Sequence, residues 1–203
     1  MLFRSKPTRA FQSAWQQLYP EHLEWVSLSK GGKVNSVDAA TKTLKTDFSD
    51  VKADVANIIP PQRAGAIAVS AGVADRTGWC PVDPVTFAST LQPNIHVIGD
   101  AIIAGGMPKS AFAANAQAKV CAAAIVALLR GQKPIDPKLI NTCYSLVAPN
   151  YGISVAGVYH PANGLLTELP GGGVSPANAP ANRPLEAAFA EAWFRTIGGE
   201  VFG

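Results

Sequence analysis

The sequence predicts a mixed α/β protein, and three observations carry the prediction. Short apolar runs alternate with Gly- and Pro-rich turns. One long Ala-rich helical stretch follows a strand-like run, and a second helical stretch closes the chain.

Residues 8–19 put Ala10, Phe11, Ala14, Trp15 and Leu18 on one side at helical spacing, and Pro20 stops the pattern. Short strands are expected over 24–26, 33–37 and 43–48, joined by the Gly31-Gly32 and Asp38 turns. Residues 53–59 form a continuous apolar run of the kind buried in the middle of a sheet. Pro60-Pro61 then removes two backbone donors, so pairing should end and a domain crossover is expected there. A short helix over 63–71 closes at Gly72, strands follow over 82–87 and 95–98, and a long helix over 109–130 is capped by Gly131. Beyond Lys133-Pro134, strands over 141–147 and 153–159 flank the Pro149-Asn-Tyr-Gly152 turn. Residues 161–184 read as an irregular Gly/Pro/Asn-rich loop centred on Gly171-Gly172-Gly173, long enough to wrap a surface. A helix over 185–197, containing Trp193, finishes the chain, and there is no internal repeat.

Composition narrows the function classes. At 203 residues, 48% hydrophobic and 15% charged, the chain can bury a core and is not of disordered composition. Its net charge of +3 is spread without any Lys/Arg block, which points away from nucleic acid and from a membrane surface. The longest apolar region, 111–129, carries Asn115, Gln117 and Lys119, so a buried amphipathic helix is expected in place of a membrane span. Met1-Leu-Phe-Arg-Ser-Lys-Pro7 lacks the apolar stretch of a signal peptide, which implies either a cytosolic protein or a start that is not native. Cys80, Cys121 and Cys143 are odd in number and show no C-x-x-C spacing, so no zinc site is expected.

The chemistry concentrates around Asn94-Ile-His-Val-Ile-Gly-Asp100 and Met107-Pro-Lys-Ser110. An aspartate at the carboxyl end of a strand sits where open α/β sheets place ligands; its ordinary reading is a turn or N-cap aspartate. Lys109 and Ser110 open the long helix, whose free N–H groups and positive dipole end suit an anion. Lys109 can equally be a solvated first-turn residue. Gly105-Gly106 either lets backbone approach a ligand or is a flexible turn. No G-x-G-x-x-G fingerprint for a pyrophosphate occurs anywhere. His22, His96 and His160 share no ligand spacing; His96 reads as a satisfied core residue, and none is nominated as a base.

Several longer motifs carry a resemblance: Ile58-Ile-Pro-Pro-Gln-Arg-Ala64, Gly78-Trp-Cys-Pro-Val-Asp83, His96-Val-Ile-Gly-Asp100, Met107-Pro-Lys-Ser110, Asn141-Thr-Cys-Tyr-Ser145, Ala148-Pro149 and Tyr151-Gly-Ile-Ser154. From about residue 8 to its end, the chain resembles the C-terminal half of the flavoprotein subunit of flavocytochrome c sulfide dehydrogenase. That family is related to sulfide:quinone oxidoreductases and to the glutathione reductase-like flavoproteins. The resemblance implies a partial two-dinucleotide-binding, FAD/NAD(P)-like fold followed by a small α+β C-terminal interface domain. Residues 1–60 would end the NADH-like middle domain, 61–133 form the second segment of the FAD-binding domain, and 134–203 form the interface domain.

The resemblance also implies a periplasmic FAD enzyme that oxidises sulfide and passes electrons to a c-type cytochrome subunit. The N-terminal half absent from this chain would hold the adenosine-diphosphate site, an acid/base residue and a redox cysteine, and this fragment alone would be inactive. Gly99 and Asp100 would meet the ribityl hydroxyls, Lys109 and Ser110 the flavin ring, and Pro81 and Val82 the pocket wall. Trp193 would pack near the flavin, or else join Phe189 and Ile197 in the core. Cys143 would be the redox cysteine, half of a disulfide that sulfide attacks, with its partner in the absent half; the plain reading is a small buried hydrophobe. Cys80 is the rival redox thiol, and Cys121 is core.

Two other readings stay open. One is a sulfide:quinone or pyridine nucleotide-disulfide type oxidoreductase, although the tail Ile197-Gly-Gly-Glu-Val-Phe-Gly203 is short for the amphipathic anchor of a quinone reductase. The other is a non-catalytic split subunit that completes a partner's flavoprotein fold.

Overall fold

The computed structural model describes residues 6–176 and 179–203, so residues 1–5, on which most of the signal-peptide reading rests, lie outside the described residues. The chain divides into two compact units, Met1–Gln62 and Arg63–Gly203.

In the first unit the apolar spacing gives helix α1 (Lys6–Leu18), which buries Ala10 and Ala14. The predicted strand over 24–26 is not a strand. Its Trp25 ring lies 5.9 Å from the Trp15 ring, so an aromatic contact with the helix replaces sheet pairing. Strands β1 (Val34–Asp38), β2 (Thr43–Thr46) and β3 (Asp50–Lys52) form an antiparallel sheet in that order. The Asp38 carboxylate accepts from the Ala40 and Thr41 N–H groups and so folds the β1–β2 turn.

The continuous apolar run 53–59 was expected inside a sheet, and the structure corrects this. Val55 is 86% and Ile59 82% exposed, and no strand forms there. β2 is already paired on both sides, and Lys42 draws the chain off the sheet: its carbonyl accepts from the Ala53 N–H and its ammonium donates to the Asp54 carbonyl.

The second unit opens with the short helix α2 (Ala66–Ser70), after which Gly72 takes a φ of +70°. The strand expected over 82–87 does not form. The Asp83 carboxylate captures the Val85 and Thr86 N–H groups and the Thr86 hydroxyl, an Asx turn that outcompetes a ladder. Only the isolated bridges Val82–Ser89 and Ala88–His96 remain of it and of the strand expected over 95–98.

The long helix is α3 (Ala111–Leu129). Lys109 and Ser110 precede it: Ser110 is extended and serves as N-cap, its hydroxyl oxygen accepting from the Ala113 N–H at 3.1 Å. By length and composition α3 could cross a membrane, but its Ala113–Gln117–Cys121–Ala124 stripe is buried.

Strands β4 (Leu139–Ala148) and β5 (Tyr151–Ala162) form a long antiparallel hairpin pairing Asn141 with Gly157 and Cys143 with Val155. The expected irregular loop over 161–184 is instead partly sheet. Asn163-Gly164, both at positive φ, turn β5 into β6 (Leu165–Glu168), and β7 (Gly173–Val174) pairs with β5 further along. The final helix α4 (Arg183–Phe202) packs on β5, where a Cβ on Gly152 would sit 2.5 Å from the Ala187 backbone nitrogen. The buried Arg183 fixes the helix start by donating to the Pro176 carbonyl at 2.9 Å and to Glu186 at 3.1 Å.

One core joins these pieces: Val82, Phe87, Ile102, Met107, Ala113, Cys121, Leu139, Tyr159 and Leu166. Gly106 N–H donates to the Leu166 carbonyl at 2.9 Å, and a Cβ on Gly105 would lie 2.8 Å from that same oxygen, so the approach to α3 is clasped against β6. The protein is thus mixed α/β with two antiparallel sheets. Parallel pairing among the described residues is confined to one bridge, Cys80–Ile102.

Candidate functional site

The predicted motifs meet at a single turn of 3-10 helix, Gly99–Ala101. Gly99 takes φ +73°, and its N–H donates to the buried Gln117 side-chain carbonyl at 2.7 Å, which fastens the turn to α3. Cys80 N–H donates to the Ala101 carbonyl and Ile103 N–H to the Cys80 carbonyl, so the Trp79-Cys80-Pro81 segment runs alongside. Asp100 is exposed, and its carboxylate takes no hydrogen bond among the described residues.

Lys109 does not stand free at the helix start. Its ammonium donates to the Asp100 carbonyl at 2.5 Å and the Ile102 carbonyl at 2.7 Å, and lies 3.9 Å from the centroid of the Trp79 ring. Desolvation pushes this amine below the ordinary lysine value, partly offset by the charge of Asp100 and by Cys80. The positive end of α3 is therefore presented by backbone: the Ala111 and Phe112 N–H groups have no acceptor among the described residues.

From the hairpin side, Asn141 of β4 is buried and accepts the Ser110 hydroxyl at 2.5 Å, while its amide nitrogen lies 3.3 Å from Cys143 Sγ. Cys143 is half-buried and unpaired; Cys80 and Cys121 are buried and also unpaired. Tyr159, buried in β5, is electrostatically coupled to both Glu168 and Cys143. On the opposite face of β4, Trp193 stacks on Phe112 at 5.8 Å and lies 6.3 Å from Tyr144. Trp193 lines a cleft of about 300 Å³ with Phe112, Ile140 and Ile197, and the Lys119–Glu200 ion pair stands beside it.

Some expected roles shift. Val82 belongs to the core with Phe87 and Ile102, so Pro81 is the more accessible of the two. Phe189 is 50% exposed and does not share a core with Trp193. His96 is satisfied as expected, its Nδ1 being 2.9 Å from the Thr86 carbonyl. Asn141, Gln117, Trp79 and Tyr159 received no role from the sequence. A lone buried-side glutamine in an alanine helix was the one signal that could have flagged Gln117.

Burial raises Cys80, Cys121 and Tyr159 above their ordinary values. In the window above the ordinary thiol value, about pH 8.5, the folded chain then holds more protons than the unfolded one, and stability falls as pH rises. Unfolding free energies from urea titrations at about pH 8 to pH 11 are expected to decline, by at most about 1.4 kcal/mol per pH unit for each group. Cys121→Ala should flatten the first part of that decline.

Two family models match the chain. Residues 135–202 match "Flavocytochrome c sulphide dehydrogenase, flavin-binding", and residues 4–60 match "Sulfide dehydrogenase [flavocytochrome c] flavoprotein chain, central". The chain belongs to this family. Its members are the flavoprotein chains of an oxidoreductase, and the cofactor is a flavin, FAD in this family. The flavin-binding match spans β4 to α4 and so contains Asn141, Cys143 and Trp193 of the flavocytochrome c sulfide dehydrogenase fold. Gly99, Asp100, Lys109 and Ser110 lie between the two matched segments, and Ser110 touches the second through Asn141.

The donor set fits such a cofactor. An unengaged carboxylate suits a polyhydroxyl chain, and two unengaged N–H groups at a helix start suit an electron-rich ring edge.

Proposed function

We propose that this chain contributes part of the flavin site and the redox cysteine of a periplasmic sulfide dehydrogenase that passes electrons to a c-type cytochrome. The observation that carries this is the position of Cys143. It is the one cysteine of the three within reach of solvent, and Asn141 and Ser110 tie it to the start of α3.

In this reading Gly99 and Asp100 hold the ribityl chain, and the Ala111 and Phe112 N–H groups face the ring. Lys109 keeps the Asp100 turn closed through two carbonyls and Trp79 in place of touching the ring itself. Pro81 lies at the edge of the same site, and Trp193 presents its aromatic face behind Cys143. In this reading residues 61–133 form the second segment of the FAD-binding fold, which one parallel bridge, Cys80–Ile102, supports. Residues 1–60 close the middle domain, and 134–203 form the interface domain.

FAD supplies a two-electron acceptor when bound. The chain's own chemistry is thiol–disulfide exchange: hydrosulfide attacks a disulfide that joins Cys143 to a cysteine outside these 203 residues, leaving one persulfide and one thiolate. The test uses the complete flavoprotein. Anaerobic sulfide should bleach the flavin absorbance, and reoxidation by a c-type cytochrome should restore it. A flavin-loaded protein indifferent to sulfide but reduced by NADH would overturn the proposal.

A further inference from the structure

The direction of the hydrogen bonds around Ser110 fixes more than a helix cap. Ser110 Oγ accepts from the Ala113 N–H, so its own proton is free, and it goes to Asn141 Oδ1. With its oxygen thus engaged, the Asn141 amide must turn its NH2 towards Cys143 Sγ, 3.3 Å away. Each link donates onward: helix amide to hydroxyl, hydroxyl to amide carbonyl, amide N–H to sulfur. The chain ends on sulfur as an acceptor, and a thiolate is a far better acceptor than a thiol.

We infer that Asn141 is a positioning residue for Cys143: held in one orientation by Ser110, it directs its amide N–H at the sulfur and donates to it when the sulfur carries charge. The inference rests on the redox role proposed for Cys143, but it is read out without sulfide or flavin.

The surroundings explain why such a donor is needed. On β5, burial and then the charges of Glu168 and Cys143 oppose ionisation of the Tyr159 phenol, so a phenolate there would oppose a negative sulfur. Three cations on neighbouring elements are engaged elsewhere. Lys109 is committed to the Asp100 and Ile102 carbonyls, Lys119 pairs with Glu200 at 2.8 Å, and Arg183 pairs with Glu186 at 3.1 Å. Among the described residues the sulfur has one side-chain donor, Asn141. Asn141 is 1% exposed, so its amide is held by Ser110 and the sulfur and not by water.

The test is iodoacetamide alkylation of Cys143 in the full 203-residue chain, followed by mass spectrometry of the Cys143 peptide across pH. Asn141→Asp keeps the shape and the acceptor for Ser110 but removes the donor and adds charge. It should slow alkylation about tenfold near pH 7, while the rate near pH 10, above the ordinary thiol range, stays at the wild-type value. Ser110→Ala frees the amide to flip and should slow the neutral-pH reaction about threefold; Ser110→Thr, which keeps the hydroxyl, should restore it. Should Asn141→Asp fail to fold by circular dichroism, the Ser110 pair carries the same comparison. Equal slowing at both pH values would mean altered access alone and would overturn the inference, as would wild-type rates in Asn141→Asp and Ser110→Ala. Failure of sulfide to reduce the complete flavoprotein, alongside the expected alkylation pattern, would remove the redox reading and leave the Asn141 assignment standing.

Discussion

Cys143→Ser in the complete flavoprotein is expected to lower sulfide-dependent flavin reduction by at least about a hundredfold while flavin stays bound. A serine at this position cannot form the S–S bond that hydrosulfide attacks, and its hydroxyl is neutral at pH 7, so neither the electrophile nor the leaving thiolate exists. Binding should survive, because the groups assigned to the cofactor belong to the Gly99–Ala101 turn and the start of α3, not to the sulfur. Stopped-flow absorbance gives the rate, and the ratio of flavin to protein absorbance gives occupancy. A variant that still reduces at the wild-type rate would exclude Cys143 and return attention to Cys80, whose complete burial and raised thiol value weigh against it. Loss of flavin along with activity would point to a structural role instead.

Gly152→Ala should produce the largest loss of stability on the hairpin side, about 3 kcal/mol. The new methyl group would stand 2.5 Å from the Ala187 nitrogen and 2.6 Å from the Glu186 carbonyl carbon, both backbone atoms of α4. A flexible side chain could rotate away; a helix backbone can only shift as a body. That shift would also stretch the Arg183 bond to the Gly152 carbonyl and the Ser154–Glu186 contact, so the loss exceeds the steric term. Urea unfolding of the purified chain measures it. A midpoint within a few tenths of a kcal/mol of wild type would mean that α4 is not seated on β5 as described.

Where local chemistry decided the outcome, the sequence was legible. The alanine-rich helix and Gly131 at its end were local signals, although the helix begins after Ser110 and not at Lys109, and the β4–β5 hairpin follows from its turn residues. The errors came from competition the sequence does not display. The 53–59 run is apolar enough for a sheet interior, but its fate depends on whether an edge is open, and Lys42 leads the chain away from the sheet. The 82–87 segment carries strand-forming residues, yet a single aspartate carboxylate takes over its N–H groups. Glycines suggested a formless 161–184 segment. One of them, Gly172, is small because a Cβ there would meet the Glu168 carboxylate at 2.3 Å, just as a Cβ on Gly157 of β5 would meet the Tyr159 hydroxyl at 2.5 Å. Around the Gly99–Ala101 turn, the sequence shows which motifs are present but not how their side chains are oriented. Lys109 was read as facing a ligand because spacing says nothing of carbonyls brought near by folding, and Asn141 matters only because Ser110 lies across from it.

The clasp between Gly106 and the Leu166 carbonyl has a mechanical consequence. A displacement of the exposed Asn163-Gly164 turn would be passed through β6 to the stretch that leads into the amides of Ala111 and Phe112.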